Sequence, residues 1–253
     1  MMERERPYIS LNMASSIDGK TTTFQLEKIR FSSSEDRELM EDLRSRADAI
    51  LIGTRTLVTD DPPLLLRIPS FQLKRQLLGK RTRHPINVVI SSSLDFPVED
   101  SDFFNCPETE KMVFTTTAAP REKLDRVSRY AQVIQLPADE RGKVDLQLMA
   151  KTMLELDINT LMLEGGGSLN FEMLRRNLID EINLTLCPLV IGGQTAPTTF
   201  DGAGFSKEFM KKLKLDNIRA GAGGELFLRY KAQNMGNVTV QPSSVFRKGF
   251  VVC

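Results

Sequence analysis

Three consecutive glycines, Gly165, Gly166 and Gly167, stand between an apolar run and an amphipathic segment in the stretch LMLEGGGSLNFEML, residues 161–174. A strand that ends in glycines and leads into a helix can bind phosphate, because the helix N-terminus carries unpaired N–H groups and a partial positive charge. The spacing is not that of a dinucleotide fingerprint, and the lysine of a P-loop is absent. The glycines therefore indicate either an anion site or simply a tight strand-to-helix turn.

A second cluster of polar side chains lies in the stretch GTRTLVTDDPPLLLR, residues 53–67, directly after an apolar run. Thr56 and Thr59 supply hydroxyl groups, and Asp60 and Asp61 precede two prolines that stop a helix. Paired acids at such a point can hold a metal ion or ribose hydroxyls, or they can cap a turn. The residues alone leave these alternatives open.

Other apolar runs also end in polar or glycine-rich segments. Asp18 and Gly19 follow the first run and most simply form a turn, Ser91 follows the run INVVI, and the segment IGG follows Val190. Each segment lies where a predicted strand ends, and ligands of open α/β sheets bind at the carboxyl ends of the strands. The sequence therefore predicts one ligand site that several loops form together.

Strands and helices alternate between about residues 45 and 190, which predicts parallel strands joined by crossover helices. Two closing strands, EINLTLCPLVIGG and GELFLRYKAQ, have no long helix between them and predict antiparallel pairing at one edge. We expect one α/β domain over 1–253, with a mixed, mostly parallel sheet flanked by helices and a core at about 8–231. Residues 236–253 have weak periodicity and could form a strand, an arm or a loose tail.

Local signals predict individual helix starts and loops. Ser32 and Glu35 match a capping box, and Asp145 can cap a later helix. The basic pair Lys74 and Arg75 lies in a polar connecting stretch, which we expect to be a solvated loop.

Composition narrows the possible function classes. The chain has 253 residues, a formal charge of +1, one histidine and three cysteines without a CxxC spacing. A near-neutral charge argues against nucleic acid or an anionic membrane as the main partner. A zinc site has almost no soft ligands to draw on, and a serine hydrolase triad would depend on His84 alone. Scattered cysteines and the absence of a long apolar run favour a cytoplasmic protein without a metal or a membrane span.

The segments SIDGK, GTRTLVTDDPPL, LEGGGSLN and DEINLTLCPLVIGG, in this order, resemble the riboflavin-pathway pyrimidine reductase family. This family comprises the reductase domain of a bifunctional deaminase–reductase and stand-alone forms, and the resemblance spans about residues 8–231. It implies a dihydrofolate-reductase-like fold, NADPH as the cofactor and a homodimer. It also implies reduction of the ribose of 5-amino-6-(5-phosphoribosylamino)uracil, or of its diamino equivalent, to a ribityl chain.

The resemblance further implies roles for particular residues. The cofactor would contact Thr56, Asp60, a serine near Ser91, and the segment of Gly165, Gly166, Gly167, Ser168, Leu169 and Asn170. The substrate would be lined by Lys28, Arg44, Arg67 and Glu164. Chemistry supports the two arginines, because guanidinium groups can bind a ribose 5-phosphate in a bidentate manner. Asp60 and Glu164 lie at strand ends beside the glycines, so either acid, or a water that it orients, is our hypothesis for the proton donor.

The chain departs from the family pattern at two positions. Asn12 stands where many bacterial relatives carry a lysine, and Arg30 is near the place of an aromatic residue that some relatives stack on the cofactor. The sequence also has neither H-x-E nor P-C-x-x-C, so it lacks the residues for the zinc-dependent deamination.

Two other functions remain open at this stage. A reductase of the same fold acting on another heterocycle or pterin would share the cofactor loops but would not need a phosphate clamp. A non-catalytic nucleotide-binding module would bind the cofactor without turnover. The residues also leave open whether the pyrimidine is of the uracil or the diamino type, and whether NADPH is preferred over NADH.

Overall fold

The computed structural model describes residues 4–27, 29 and 33–233, and within these ranges nine strands form one sheet. The strands are β1 Tyr8–Ser16, β2 Ala49–Gly53, β3 Ile86–Ile90, β4 Lys111–Thr116, β5 Gln132–Leu136, β6 Thr160–Leu163, β7 Glu181–Cys187, β8 Leu213–Ala220 and β9 Leu226–Ala232. The helices are α1 Ser34–Arg46, α2 Thr54–Asp60, α3 Pro69–Leu77, α4 Asp102–Asn105, α5 Arg121–Val127, α6 Leu146–Glu155 and α7 Gly167–Arg175. None of these described helices has the length and apolar character that a membrane span requires.

The strand order across the sheet is β5-β4-β3-β2-β6-β1-β7-β9-β8. The seven strands from β5 to β7 in this order pair in parallel, whereas β9 is antiparallel to both β7 and β8. This confirms the predicted mixed sheet with an antiparallel edge near the C-terminus. Because parallel strands end at the same edge of a sheet, the loops after β1, β2, β3, β6 and β7 lie on one side of the molecule.

Hydrophobic layers cover both faces of the sheet. Alternation along β2 sends Leu51 into the layer that contains α6 and α7, and Ile50 into the layer that contains α4 and α5. Both side chains are fully buried, and burying one such side chain contributes about 1.5–3 kcal/mol. The buried strands therefore form a rigid base for the loops at their carboxyl ends.

The N-cap of α1 lies one residue after Ser32, the first residue of the predicted capping box. The N-cap is Ser33, whose side chain accepts a hydrogen bond from the backbone N–H of Asp36 at 3.2 Å. The N–H of Ser33 donates to Glu225 Oε1 at 2.7 Å, so the reciprocal acceptor comes from the C-terminal hairpin. Glu35 accepts instead from the N–H of Ala222 at 2.8 Å. The cap is thus shared between distant segments, which a local motif cannot reveal.

The basic pair Lys74 and Arg75 lies in α3, so the prediction of a solvated loop is wrong. Arg75 is only 2% exposed, and its guanidinium donates to the carbonyl oxygens of Thr82 at 2.7 Å and of Ala47. Ala47 is the C-cap of α1, where unpaired carbonyl groups attract a cation. Burial lowers the pKa of Arg75 to about 10, so the side chain stays charged at neutral pH.

The edge strand β8 is not predicted from the sequence. All eight of its residues are exposed, and it joins the sheet by pairing with β9. A bulge between Leu215 and Asn217 interrupts the alternation of Leu213, Leu215 and Ile218, so the apolar pattern is too short to predict a strand. The last predicted segment, residues 236–253, lies outside the described residues.

Candidate active site at the carboxyl ends of the strands

Three adjoining grooves lie at the edge where the parallel strands end. The central groove has a volume of about 380 Å³, and its lining includes Thr56, Asp60, Glu164, Gly166 and Gly167. The serine groove has a volume of about 600 Å³, and its lining includes Ser91, Ser92, Ser93, Arg141 and Lys143. The lining of the arginine groove includes Arg37, Glu41, Arg44 and Arg67. The central groove shares Gly166 and Gly167 with the serine groove, and Pro62 and Pro63 with the arginine groove.

The glycine segment separates the central groove from the serine groove. Gly165 has a φ of +94°, a conformation that favours glycine, and its peptide bond to Gly166 is cis. A Cβ atom at Gly167 would lie 2.4 Å from the carbonyl oxygen of Thr198, so a larger residue there requires a backbone shift. α7 begins at Gly167, and its N-cap, Gly166, makes no side-chain cap. The N–H groups of its first turn can therefore serve a ligand in either groove.

Glu164 and Arg44 form a buried bidentate ion pair at the border of the central and arginine grooves. Arg44 Nε donates to Glu164 Oε1 at 2.7 Å, and Arg44 Nη2 donates to Glu164 Oε2 at 2.7 Å. The side chains are 9% and 12% exposed. Burial opposes the charge on Arg44, but Glu164 outweighs it, so the pKa of Arg44 is raised. The two residues that the sequence assigns separately to the substrate therefore form one ionic unit.

The adjacent acids Asp60 and Asp61 lie in different environments. Asp60 is the last residue of α2 and lines the central groove. Asp61 adopts a left-handed conformation with a φ of +41°, and its carboxylate accepts hydrogen bonds from Ser101 Oγ at 2.6 Å and from the N–H of Asp102 at 2.6 Å. Asp61 therefore caps α4, which leaves Asp60 as the acid of this pair at the groove. The described residues contain no cluster of His, Cys, Asp and Glu that could hold a metal ion.

The arginine groove brings together Arg67, which the sequence singled out, and Arg37, which it did not. Both side chains are exposed, and neither has a carboxylate partner among the described residues. Arg37 and Arg44 are seven residues apart on α1, a spacing that places them on one helix face. That spacing is a signal that could have identified Arg37. Lys28, the other predicted substrate residue, lies outside the described residues, as does Arg30.

The serine groove combines hydroxyl and basic groups. Ser91 is buried, and its Oγ accepts from the N–H of Leu94 at 3.0 Å. Ser92 Oγ accepts from the N–H of Val144 at 3.1 Å, which ties the loop after β3 to the segment that carries Arg141 and Lys143. No sequence motif marks these two basic residues, because only the fold places their loop beside the serines.

Two predicted cofactor residues at the start of α7 differ in exposure to the grooves. Leu169 lines the serine groove. Asn170 is fully buried, and its Nδ2 donates to the carbonyl oxygen of Thr199 at 2.8 Å. Asn170 therefore holds the segment that closes over the glycines, and its side chain lies beneath the grooves rather than in them.

Asp18 organises the loops after β1 and β7. Its carboxylate accepts from Ser16 Oγ at 2.7 Å and from the N–H groups of Ile191 at 3.1 Å and Gly192 at 2.7 Å. The Ser16 hydroxyl and these N–H groups lower the pKa of Asp18 to about 2. The turn predicted at Asp18 and Gly19 is present, and Gly19 has a φ of +78°.

Residues 7–227 match the family described as the RibD C-terminal domain. The chain belongs to this family. A curated relative from Archaeoglobus fulgidus, 2,5-diamino-6-ribosylamino-4(3H)-pyrimidinone 5′-phosphate reductase, is 34% identical over 226 residues, which cover 89% of this chain and 99% of the relative. A reductase of the same name from Aquifex aeolicus is 30% identical over 207 residues, which cover 80% of this chain and 86% of the relative. These matches confirm the family indicated by the four sequence segments.

The fold of this RibD C-terminal domain also matches solved structures. A pyrimidine reductase-like protein from Corynebacterium diphtheriae superposes with a TM-score of 0.76 at 24% identity, over 90% of this chain and 92% of the other. The riboflavin biosynthesis reductase Rib7 from Saccharomyces cerevisiae has a TM-score of 0.68 at 16% identity. At these identities the likeness concerns the fold alone, and it confirms the predicted reductase-type sheet.

In this RibD C-terminal domain, the residue that departs from the bacterial pattern lies inside the sheet. Asn12 is in β1 and is in register with Asn183 of β7. Its Oδ1 is buried and has no hydrogen-bond partner among the described residues.

Proposed function

We propose that this protein is the riboflavin-pathway reductase that converts the ribosyl group of 2,5-diamino-6-ribosylamino-4(3H)-pyrimidinone 5′-phosphate, or of its uracil equivalent, into a ribityl chain with NADPH. The names of the archaeal and bacterial relatives support the activity. The structural observation that carries the proposal is the adjacency of two binding surfaces. The N-terminus of α7 suits a dinucleotide, and the arginine groove suits a phosphate, with the central groove between them.

The residues around α7 fit a nicotinamide dinucleotide. Gly166 lines both the central and the serine groove, and a Cβ atom there would lie 3.4 Å from Thr56 Oγ1, so glycine leaves the most room for a ligand at this point. The N–H groups of Gly167 and Ser168 would bind the pyrophosphate. Arg141 and Lys143 would bind a 2′-phosphate beside the serines, which favours NADPH over NADH. NADPH supplies a hydride when it is bound.

The arginine groove provides the charge for the substrate phosphate. Because Glu164 already pairs with Arg44, the exposed guanidinium of Arg67 is the better phosphate ligand of the two predicted arginines. The Glu164–Arg44 pair would then contact the ribose or the pyrimidine at the border of the central groove. This division of roles fits a substrate that reaches from the arginine groove across Pro62 and Pro63.

Asp60 is the better candidate for proton supply. In its ring-opened form the substrate has a C=N bond at C1′, and hydride addition at C1′ with protonation of the nitrogen gives a C–N single bond. Both oxygens of Glu164 accept hydrogen bonds from Arg44, so of the two acids that the sequence suggests we favour Asp60, which also lines the central groove. Asp60, or a water that it orients, would deliver the proton. Holding the nicotinamide against C1′ of the substrate can be worth about 7–11 kcal/mol of the barrier.

The test is the loss of NADPH absorbance with purified protein and each phosphoribosylamino-pyrimidine, diamino and uracil. We expect turnover of at least one compound, a higher kcat/KM with NADPH than with NADH, and weak turnover of the dephosphorylated form. Absence of turnover with both pyrimidines would overturn the proposal. Efficient turnover of unphosphorylated heterocycles, unaffected by Arg67→Ala, would instead favour a reductase of the same fold with another substrate.

We also propose that the protein is a single cytoplasmic domain that acts as a homodimer. The described cysteines, Cys106 and Cys187, are free thiols, which fits a reducing compartment. The exposed apolar side chains Leu215 and Ile218 on β8 offer a surface for self-association. Light scattering on the full chain tests the dimer, and a monomer at micromolar concentration would contradict it.

A further inference from the structure

The irregular segment 64–68, between α2 and α3, carries Arg67 in the arginine groove. Leu64 and Leu66 point into the interior and are 2% and 1% exposed, whereas the side chain of Arg67 is exposed. Buried neighbours thus anchor the segment from below. Leu64 belongs to the hydrophobic layer against which Met40 and Leu43 of α1 pack, so apolar contacts also place the segment beside this helix, which carries Arg44 of the Glu164–Arg44 pair.

Glu41 on α1 adds a polar contact at the backbone of Arg67 itself. It is 1% exposed, and its Oε2 accepts hydrogen bonds from the backbone N–H of Arg67 at 2.9 Å and of Ile68 at 2.8 Å. A buried carboxylate is costly unless hydrogen bonds compensate it, and these two backbone N–H groups supply that compensation at Oε2. The contact is therefore strong enough to hold the segment against α1.

Arg44, three residues further along α1, makes a second contact with the same segment. Its Nη1 donates to the carbonyl oxygen of Leu65 at 3.0 Å while its other nitrogens hold Glu164. Helix α1 therefore forms hydrogen bonds with the segment on both sides of Leu66: with the carbonyl group before it and with the two N–H groups after it. The relative placement of Arg67 and the Glu164–Arg44 pair follows from the rigidity of α1.

We propose that Glu41 is a positioning residue for the substrate phosphate, which acts by holding the backbone of Arg67 so that its guanidinium meets the phosphate. This inference rests on the proposed function, because it assumes a phosphorylated substrate in the arginine groove. Glu41 does not touch the substrate. Its contribution is selective for the phosphate end and leaves the cofactor grooves unchanged.

A purely structural role for Glu41 has a different signature. Ile68 is the N-cap of α3 and makes no side-chain cap, so a nearby carboxylate also stabilises the start of that helix. If this were its whole contribution, loss of Glu41 would lower stability and would affect both substrate forms equally. Kinetics with and without the phosphate separate the two roles.

The experiment compares the wild-type protein with Glu41→Met, which keeps the volume but removes the acceptor, and with Glu41→Gln, which keeps an acceptor oxygen. KM and kcat are measured for the phosphorylated and the dephosphorylated pyrimidine, together with the KM for NADPH. Glu41→Met is expected to raise the KM for the phosphorylated form by about fivefold or more, with kcat and the KM for NADPH within about twofold. Glu41→Gln should restore most of the loss, and neither variant should raise the KM for the dephosphorylated form.

Glu38→Met is the matched control, because Glu38 is exposed on the same helix; its kinetics should equal those of the wild type.

Equal effects of Glu41→Met on both substrate forms, or no effect on either, would overturn the inference. Should Glu41→Met not fold, Glu41→Asp takes its place, because it keeps the carboxylate but shortens its reach to the N–H groups of Arg67 and Ile68, and it must show the same selective rise in the KM for the phosphorylated form. A wild-type protein that reduced neither pyrimidine would overturn the proposed function first, and this inference with it.

Discussion

The glycine segment at the start of α7 and the arginine groove differ in what forms their binding surface. At α7 the proposed site uses backbone N–H groups at the helix N-terminus, where the N-cap Gly166 has no side chain and Gly167 is buried against Thr198. In the arginine groove the surface consists of charged side chains, and their positions depend on the contacts of Glu41 and Arg44 with a separate segment. A backbone site is visible in a short motif, whereas a side-chain site depends on distant supporting residues.

The largest effect is expected at the border between these two regions. Asp60→Asn should lower kcat by about 10²- to 10⁴-fold, the usual contribution of a positioned general acid. Glu164→Gln should instead destabilise the fold by up to about 3–5 kcal/mol, because it leaves Arg44 buried without its carboxylate. Steady-state kinetics over a range of pH values and urea denaturation measure the two quantities. A large loss of kcat in a stable Glu164→Gln protein would reverse the two assignments.

The second prediction tests whether the site at α7 depends on backbone alone. Gly167→Ala should cost about 1–3 kcal/mol of folding free energy and abolish NADPH binding, since its Cβ would collide with the carbonyl oxygen of Thr198. Gly166 has a φ of −74°, so Gly166→Ala fits the backbone and should only raise the KM for NADPH. Calorimetry and NADPH titration compare the pair. Equal behaviour of the two variants would contradict the distinction.

The third prediction concerns the arginine groove. Arg67→Ala should raise the KM for the phosphorylated substrate by about 10- to 100-fold, the loss expected for charge-assisted hydrogen bonds. The KM for NADPH should not change, because the cofactor would lie on the other side of the central groove. Arg121→Ala is a control on the exposed surface of α5. A parallel rise in the KM for NADPH would indicate that the two regions are not separate.

The smallest effect is a dependence of stability on pH that originates at the segment bearing Arg67. His84 Nδ1 accepts a hydrogen bond from the N–H of Leu66 at 3.2 Å, and burial lowers the pKa of His84 below its usual 6.5. The unfolded chain therefore takes up this proton first as the pH falls, and the stability present above pH 6.5 is lost as the pH falls through the folded-state pKa. One proton limits the slope to about 1.4 kcal/mol per pH unit.

Urea denaturation between pH 5 and pH 7.5 measures this slope. Because the chain has a single histidine, His84→Gln should flatten the profile in this range. A profile that is equally steep in the variant would assign the dependence to other groups.

Short-range patterns made much of the architecture predictable. Runs such as ILIG and VVI belong to strands buried on both faces, and their apolar continuity shows in the sequence. Asp145 caps α6 as expected, with its carboxylate accepting from the N–H groups of Gln147 at 2.8 Å and Leu148 at 3.1 Å. The N–H donors to the Asp145 cap lie within three residues of it, and the strands are recognised by the apolar run itself, so both signals are contained in a short stretch of sequence.

Interactions between distant segments were not predictable. Arg75 is buried because the C-terminus of α1 offers carbonyl groups to it, and the cap of α1 draws its second acceptor from Glu225. Likewise, the local sequence does not distinguish Asp60 from Asp61. Their roles differ because the carboxylate of Asp61 accepts hydrogen bonds at the start of α4. The partners become visible only when the sheet has brought them together.

The amino-acid sequence by itself determined the alternation of the parallel strands with α1, α5, α6 and α7, the glycines at the start of α7, and the family to which the chain belongs. These properties depend on periodicity and on backbone conformation, which are local. Only the tertiary structure decided that Arg44 pairs with Glu164, and that Glu41 holds the backbone of Arg67. The reason is physical: a buried charge is stable only beside a partner, and packing of remote segments selects that partner.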